Sequence, residues 1–181
     1  VSVTGKLVVT GNSILTQDAQ NTAGLVINAR IVQIDEGSAI DVTGKGYLGG
    51  KGYNEWGRTI GDVSGVTNGA GGAYGGTGSG HDGRASGPTY GDPRNPIYLG
   101  SGGGAWEHAD GGDGGGRITI HPSEAVLVNG SILANGGESE GSAAGDGSGG
   151  SILIHTSRLS GSGHISAHGG GNGNGVGGGG G

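Results

Sequence analysis

The side chains best suited to bind a ligand are the aromatic ones, and they are concentrated in one part of the chain. The protein has five Tyr, two Trp and no Phe, and all of these rings lie within a single segment: Tyr47, Tyr53, Trp56, Tyr74, Tyr90, Tyr98 and Trp106. Aromatic rings contribute a large contact area with few rotatable bonds, and they stack on sugar faces as well as on protein surfaces. Three interpretations are open: a small secondary core, a contact between subunits, or a site for a glycan or receptor.

Acidic side chains in the glycine-rich stretches offer a second kind of site. Calcium accepts about six to eight oxygen ligands in flexible geometry, so loop carboxylates together with carbonyls would suit it. The candidate ligands are Asp110, Asp113, Glu138 and Asp146. The alternative is that these carboxylates are solvated charges that keep the surface soluble. Apart from calcium, we expect no cofactor.

Groups that could carry catalysis are not arranged for it in the sequence. Asp35 and Glu36 are adjacent acids, but strand alternation places them on opposite faces. His121 and His155 end equivalent segments, so we expect them to stack on neighbouring strands as a structural ladder rather than to form half of a metal site. There is no phosphate-binding loop and no nucleophile-elbow motif. The sequence therefore predicts a protein that is not an enzyme.

Composition and charge exclude several classes of protein. The 181 residues weigh only 17.3 kDa because 51 of them are Gly. The absence of Cys excludes disulfide frameworks and zinc–thiolate sites. The net charge of −6 is scattered along the chain, which argues against a nucleic-acid partner. No apolar run is long enough to span a bilayer, so we expect no membrane insertion.

The elements that would position these side chains are short strands. Runs of four or five residues rich in Val, Ile and Thr alternate apolar and polar positions, which is typical of strands with one buried face. The predicted strands are Lys6–Thr10, Ser13–Thr16, Gly24–Asn28, Ile31–Asp35, Ala39–Thr43, Arg117–His121, Ala125–Asn129, Ser131–Ala134, Ser151–His155 and His164–Ala167.

An internal repeat indicates how these strands are arranged. The segment that begins at Gly115 matches the one that begins at Gly149. Ile118, Ile120 and His121 align with Ile152, Ile154 and His155, and Ile132 and Ala134 align with Ile165 and Ala167. A fainter copy surrounds Ile40 and Val42. A repeat period of roughly 20–50 residues is the signature of a solenoid. We therefore predict an all-β fold, a short right-handed parallel β-helix of four or five rungs.

Glycine-rich excursions separate the predicted rungs, at residues 44–116, 138–150 and 169–181. They are either flexible or irregular coils, or polyglycine-II-like extended helices that pack closely because glycine has no Cβ. We expect one structural domain in three parts: N-terminal rungs at residues 1–46, a glycine- and aromatic-rich excursion at 47–114, and C-terminal rungs with glycine-rich loops at 115–181.

Four segments carry a resemblance to a known kind of protein. YLGGKGYNEWGR, PIYLGSGGGAWEHADGGDGGGRITI, NGSILANGG and LSGSGHISAHGG resemble glycine-rich repeat regions of large bacterial secreted or cell-surface proteins. The likeness extends over Val26 to Gly181. It implies a parallel β-helix, an extracellular or cell-surface location, and a role as a stalk, adhesin or fibre, and it brings no catalytic motif.

The expected function is structural. An open solenoid end presents unpaired backbone groups, which favours pairing with another chain. We expect a segment or subunit of an extracellular bacterial fibre, stalk or matrix that associates with itself through strand edges or with neighbouring domains of a longer chain. The alternative is an adhesin or phage-type tip module that binds cell-surface glycan through the aromatic excursion.

Overall fold

The computed structural model describes residues 1–171 and 176–181, and over those residues the protein is all-β, as the sequence predicts. One single-turn 3-10 helix, His81–Gly83, is the exception. The strands are β1 (Lys6–Val9), β2 (Ile14–Leu15), β3 (Leu25–Ile34), β4 (Ala39–Asp41), β5 (Gly57–Thr59), β6 (Val63–Val66), β7 (Arg117–Val128), β8 (Ser131–Leu133), β9 (Ser151–Ile154), β10 (Leu159–Ser160) and β11 (His164–Ser166).

Two parallel sheets place copies of the repeat directly on top of one another. The first sheet has the order β1-β3-β7-β10, with β9 also paired to β7, and the second has the order β2-β4-β8-β11. The strands therefore form four stacked layers. β1 and β2 make the first layer, and β9, β10 and β11 make the layer at the opposite end, which we call the end layer. Every pairing within these two sheets is parallel.

The register aligns equivalent apolar residues into columns. Ile118 pairs with Ile152 and with Leu25, and Ile132 pairs with Ile165 and with Ile40. Because side chains alternate along a strand, each column points inward through all the layers. Inward Ile residues of the two middle layers, such as Ile40 and Ile132, are completely buried. The apolar core is thus a stack of repeats, each covered by the next.

The strand prediction differs from the structure in three places. The predicted pairs of strands around Ala29 and Pro122 are continuous, as β3 and β7, with a shift in register between Ala29 and Ile31. β10 was not predicted, because its two residues stand in a run of Gly and Ser. The antiparallel pair β5–β6 inside the long excursion was not predicted either.

The described glycine-rich segments are extended and hydrogen-bonded to one another. Within the antiparallel pair of segments 100–105 and 111–116, the amides of Gly100 and Gly103 donate to the carbonyls of Gly115 and Gly112 over 2.9 and 2.8 Å. Segment 145–149 lies against both, and its Ser148 amide donates to the Ser101 carbonyl over 2.8 Å. Bonds of this kind recur every third residue within these three segments. Part of the predicted excursion 169–181, residues 172–175, lies outside the described residues.

Close backbone contact explains why glycine occupies these segments. A Cβ placed on Gly103 would lie closer than 3.0 Å to the Gly145 carbonyl, and one placed on Gly114 would lie as close to the Gly100 carbonyl. The φ of Gly103 is outside the left-handed region, so the requirement comes from the neighbouring backbone. Among the described residues, no helix has the length and apolarity to span a bilayer.

Candidate functional site

The aromatic residues divide into two groups, and the first lies where the excursion meets the parallel sheets. Tyr47 and Tyr74 are buried, at 5% and 2% exposure. The Tyr74 and Tyr90 ring centroids are 4.9 Å apart, and those of Tyr90 and Tyr98 are 6.1 Å apart. These rings form a secondary core.

Hydroxyl groups connect this secondary core to both the glycine segments and the end layer. The Tyr90 hydroxyl donates to the Leu99 carbonyl over 2.7 Å, and the Tyr74 hydroxyl is 2.7 Å from the Ser151 Oγ at the start of β9. Burial raises the pKa of Tyr90 well above its usual value, and it also raises the pKa of Tyr47. Both tyrosines are therefore held neutral, and the cluster fastens the excursion to the sheets.

The second group lies where the turns of the excursion meet, and we call residues 51–56, 106–110 and 138–143 the loop cluster. Its loops are joined by backbone hydrogen bonds: the Ala105 amide donates to the Glu55 carbonyl over 2.8 Å, and the Glu140 amide donates to the Asp110 carbonyl over 3.0 Å. The Arg84 guanidinium lies 4.2 Å from the centroid of the Trp106 ring, a cation–π contact that ties a further turn to the cluster.

Two rings of the loop cluster face solvent. Tyr53 is 68% exposed and Trp56 is 51% exposed. The Tyr53 ring lies beside that of His108, at a centroid distance of 5.6 Å. The predicted aromatic site thus separates into rings that support the structure, with Tyr47 and Tyr74 buried, and exposed rings, of which Tyr53 and Trp56 lie in the loop cluster and Tyr98, at 37% exposure, lies beside Tyr90.

Two of the four candidate calcium ligands share a lysine. The Lys51 Nζ lies 3.6 Å from the Asp113 Oδ1 and 3.9 Å from an Asp110 carboxylate oxygen. Asp113 also accepts the Gly49 amide over 2.8 Å, and Asp110 accepts the Gly52 amide over 2.9 Å. These carboxylates therefore hold the chain at Gly49 and Gly52, where it enters the loop cluster.

The other two candidates lie in different surroundings. Asp146 is fully buried, and its Oδ1 accepts the Ser139 amide over 2.7 Å. Its Oδ2 has no hydrogen-bond partner among the described residues. Glu138 is exposed. Within residues 1–171 and 176–181, no group of three or more His or acidic side chains is placed to hold a metal ion.

The predicted histidine ladder is confirmed. The rings of His121 and His155 are stacked, with centroids 5.1 Å apart and an angle of 14° between their planes. The register β7–β9 places these residues one layer apart at the ends of equivalent strand segments. The pair is therefore a repeat contact of the stack.

The end layer carries apolar residues that the sequence analysis does not name as a site. Its inward column is open, since Leu159 is 52% exposed and Ile165 is 39% exposed. A cavity of about 600 Å³ lies over this layer, with Ile152, Ile154, Ile165 and Ala167 on one side and Tyr90, Pro93 and Pro96 among its other lining residues. The sequence signal that could have identified this face is the repeat itself, because Ile152, Ile154, Ile165 and Ala167 belong to its last copy.

The first layer is similarly open at the other end of the stack. Leu7 and Leu15 are only half-buried, although their partners Val32 and Ile40 in the second layer are fully buried. Among the strands of the described residues, β1 pairs only with β3 and β2 pairs only with β4. Among the described residues, each end of the stack therefore presents a partly exposed apolar layer, and at the end layer the excursion residues around Tyr90 and Pro93 form the opposite wall of the cavity.

Comparisons of the chain with protein-family models, with curated proteins and with solved structures find no match. The surfaces that bear on function are therefore the first layer, the end layer and the loop cluster.

Proposed function

We propose that the stacked layers are the rungs of a short right-handed parallel β-helix, with the glycine segments packed beside it as a polyglycine-II-like bundle. The parallel registers and the inward columns support the first part, and right-handed crossovers are the rule between parallel strands. Hydrogen bonds at every third residue support the second, because polyproline-II-type helices repeat every three residues.

For function, we propose a non-enzymatic structural segment or subunit of an extracellular bacterial surface structure, such as a fibre, stalk or matrix. The single observation that carries this proposal is the contrast within one column. Ile132 is fully buried under the next rung, whereas Ile165, its counterpart in the end layer, is 39% exposed. A further rung of the same kind, entering the cavity between this face and the excursion residues opposite it, would cover Ile165 as Ile132 is covered.

The first layer of a second copy has the chemistry and strand direction to supply that rung. Continuing the observed register places Leu7 of the second copy beside Leu159, and Leu15 beside Ile165. The strands would again be parallel, as in every pairing within the stack. The two faces differ, so the contact is head-to-tail and does not close unless it curves into a ring. Repeated addition therefore produces a fibre.

The chemistry of the polar side chains supports a structural role over catalysis. Of the acidic candidates, Asp110, Asp113 and Asp146 accept backbone amides that hold loops in place. The proposed location outside the cell rests on the resemblance of the glycine-rich segments to bacterial surface proteins.

Self-association is tested by light scattering after size exclusion and by negative-stain electron microscopy over a concentration series. We expect the mass to rise with concentration and unbranched filaments to form. Leu159→Glu places a charge on the open column and should leave a folded monomer. Val63→Glu is the matched control, since Val63 is 55% exposed on β6 in the excursion and should polymerise like the original chain. A monomer at every concentration of the unmodified chain would overturn the assembly proposal.

A further inference from the structure

The loop cluster exposes aromatic surface that the packing of the protein does not need. Tyr47 and Tyr74 are buried in the secondary core, and Tyr90 bonds to backbone and Ser101. Tyr53 and Trp56 instead lie three residues apart on one loop with more than half of each residue exposed. Exposed rings on a loop that a rigid scaffold supports are typical of binding surfaces.

The backbone beneath these rings is held in an uncommon conformation. Asn54 and Glu107 have φ values of 55° and 50°, in the left-handed region that non-glycine residues rarely occupy. The Asn54 Oδ1 accepts the Glu107 amide over 2.9 Å, which joins the two strained turns. Strain of this kind persists where the surrounding structure fixes it, and it is concentrated at binding sites. The loop is therefore organised before any ligand arrives.

The polar groups around the rings select the chemistry of a ligand. Glu55 and Glu107 are exposed on the same loops, and an ionised carboxylate accepts hydrogen bonds but donates none. The Lys51 ammonium lies between Asp110 and Asp113 and the Arg84 guanidinium lies over the Trp106 ring, so among the described residues neither cation forms an ion pair with these glutamates. The complementary ligand has many O–H donors, apolar C–H faces for the rings, and no negative charge.

We propose that the loop cluster is a binding site for an uncharged saccharide. A pyranose ring stacks on Trp56 or Tyr53, and its hydroxyls donate to the carboxylates of Glu55 and Glu107. An acidic polysaccharide is rejected because its carboxylates or sulfates would lie against these two side chains. This site is separate from the strand edges of the end layers, so a protein that remains monomeric still binds.

Binding is tested on an array of neutral oligosaccharides, including glucans, galactans and mannans, with hyaluronan and heparin as acidic probes. Neutral sugars identified on the array are then titrated calorimetrically. Trp56→Ala and Tyr53→Ala should each weaken binding by about tenfold or more, as expected for a ring at the centre of a contact. Ile60→Ala is the control, because Ile60 is 37% exposed on the same excursion and should leave binding unchanged.

The outcomes separate this site from the assembly surface. Leu159→Glu should remove filaments and keep saccharide affinity, whereas Trp56→Ala should keep filaments and lose affinity. Both aromatic variants change exposed side chains, so their melting temperatures should match that of the original chain. The proposal is overturned if no neutral sugar binds, if acidic probes bind better, or if folded Trp56→Ala and Tyr53→Ala both bind as the original chain does.

Discussion

Charge reversal at two positions gives a sharp test of the proposed head-to-tail register. Lys6 pairs with Ile31, and Ile31 pairs with Ala125. Because Leu159 pairs with Val126, the preceding residue, Arg158, stands beside Ala125 in the same column. Extending this column places Lys6 of the added copy next to Arg158. Both side chains are exposed and adjacent to inward-facing leucines, so they point outward. The original contact therefore contains a repulsion between like charges.

The change in association free energy on charge reversal follows from the distance between the two side chains. Neighbouring strands lie about 4.8 Å apart, and two unit charges about 6 Å apart in water interact by roughly 0.7 kcal/mol. Measured exposed pairs fall at about 0.2–1 kcal/mol. Lys6→Glu or Arg158→Glu alone turns repulsion into attraction, a change of about 1 kcal/mol that strengthens association roughly fivefold. The double variant restores like charges and should associate about as weakly as the original chain.

Sedimentation velocity over a concentration series measures the association constant of all four proteins. The four association constants give the coupling energy between the two positions, in which the effect of each substitution on its own cancels. Because exposed charges are screened, the coupling should shrink between 0.05 and 0.5 M salt, a change that shortens the screening length from about 14 Å to about 4 Å. Filaments whose association shows no coupling between these positions at low salt would refute the register.

The remaining predictions concern the glycine bundle and the secondary core. Gly103→Ala should lower the free energy of unfolding, measured by denaturant titration, by about 3 kcal/mol, because its Cβ would overlap the Gly145 carbonyl. Gly180→Ala is the control and should show little change, because its Cβ meets nothing within 4 Å. The pKa of Tyr90 is raised in the folded state, so the stability linked to its proton is complete below pH 10 and is lost as pH rises beyond 10; Tyr90→Phe should reduce this alkaline loss in thermal melts.

The repeat explains why the stacking was predictable from the sequence. Ile118 and Ile152 align across copies, and the structure pairs them directly. An inward residue covered by its own counterpart needs only a repeated pattern of alternation, and this information is local. By contrast, β10 and the β5–β6 pair lie among Gly and Ser residues that give no apolar alternation, so nothing local marked them as strands.

The division of the aromatic residues was beyond sequence reasoning. Tyr53 and Tyr74 stand in similar glycine-rich surroundings, yet one is 68% exposed and the other 2%. Which ring is buried depends on how far each segment runs before it turns back, and on the hydrogen bonds of Tyr74 and Tyr90. Similarly, Asp110 and Asp113 are candidate calcium ligands in the sequence because they are carboxylates in glycine-rich loops. Their approach to Lys51 joins segments that are distant along the chain, so no local pattern indicates it.

The glycine bundle has a consequence for the heat capacity of unfolding. Exposure of apolar surface raises this quantity, and exposure of polar peptide groups lowers it. In the segments around Gly103 and Gly112, unfolding exposes mostly peptide groups that were hydrogen-bonded to each other, since these residues have no side chains. We expect a heat-capacity change per residue below the usual value of about 12–15 cal/mol/K, and hence a flat curve of stability against temperature. A protein with such a curve keeps nearly the same stability from cold to warm conditions.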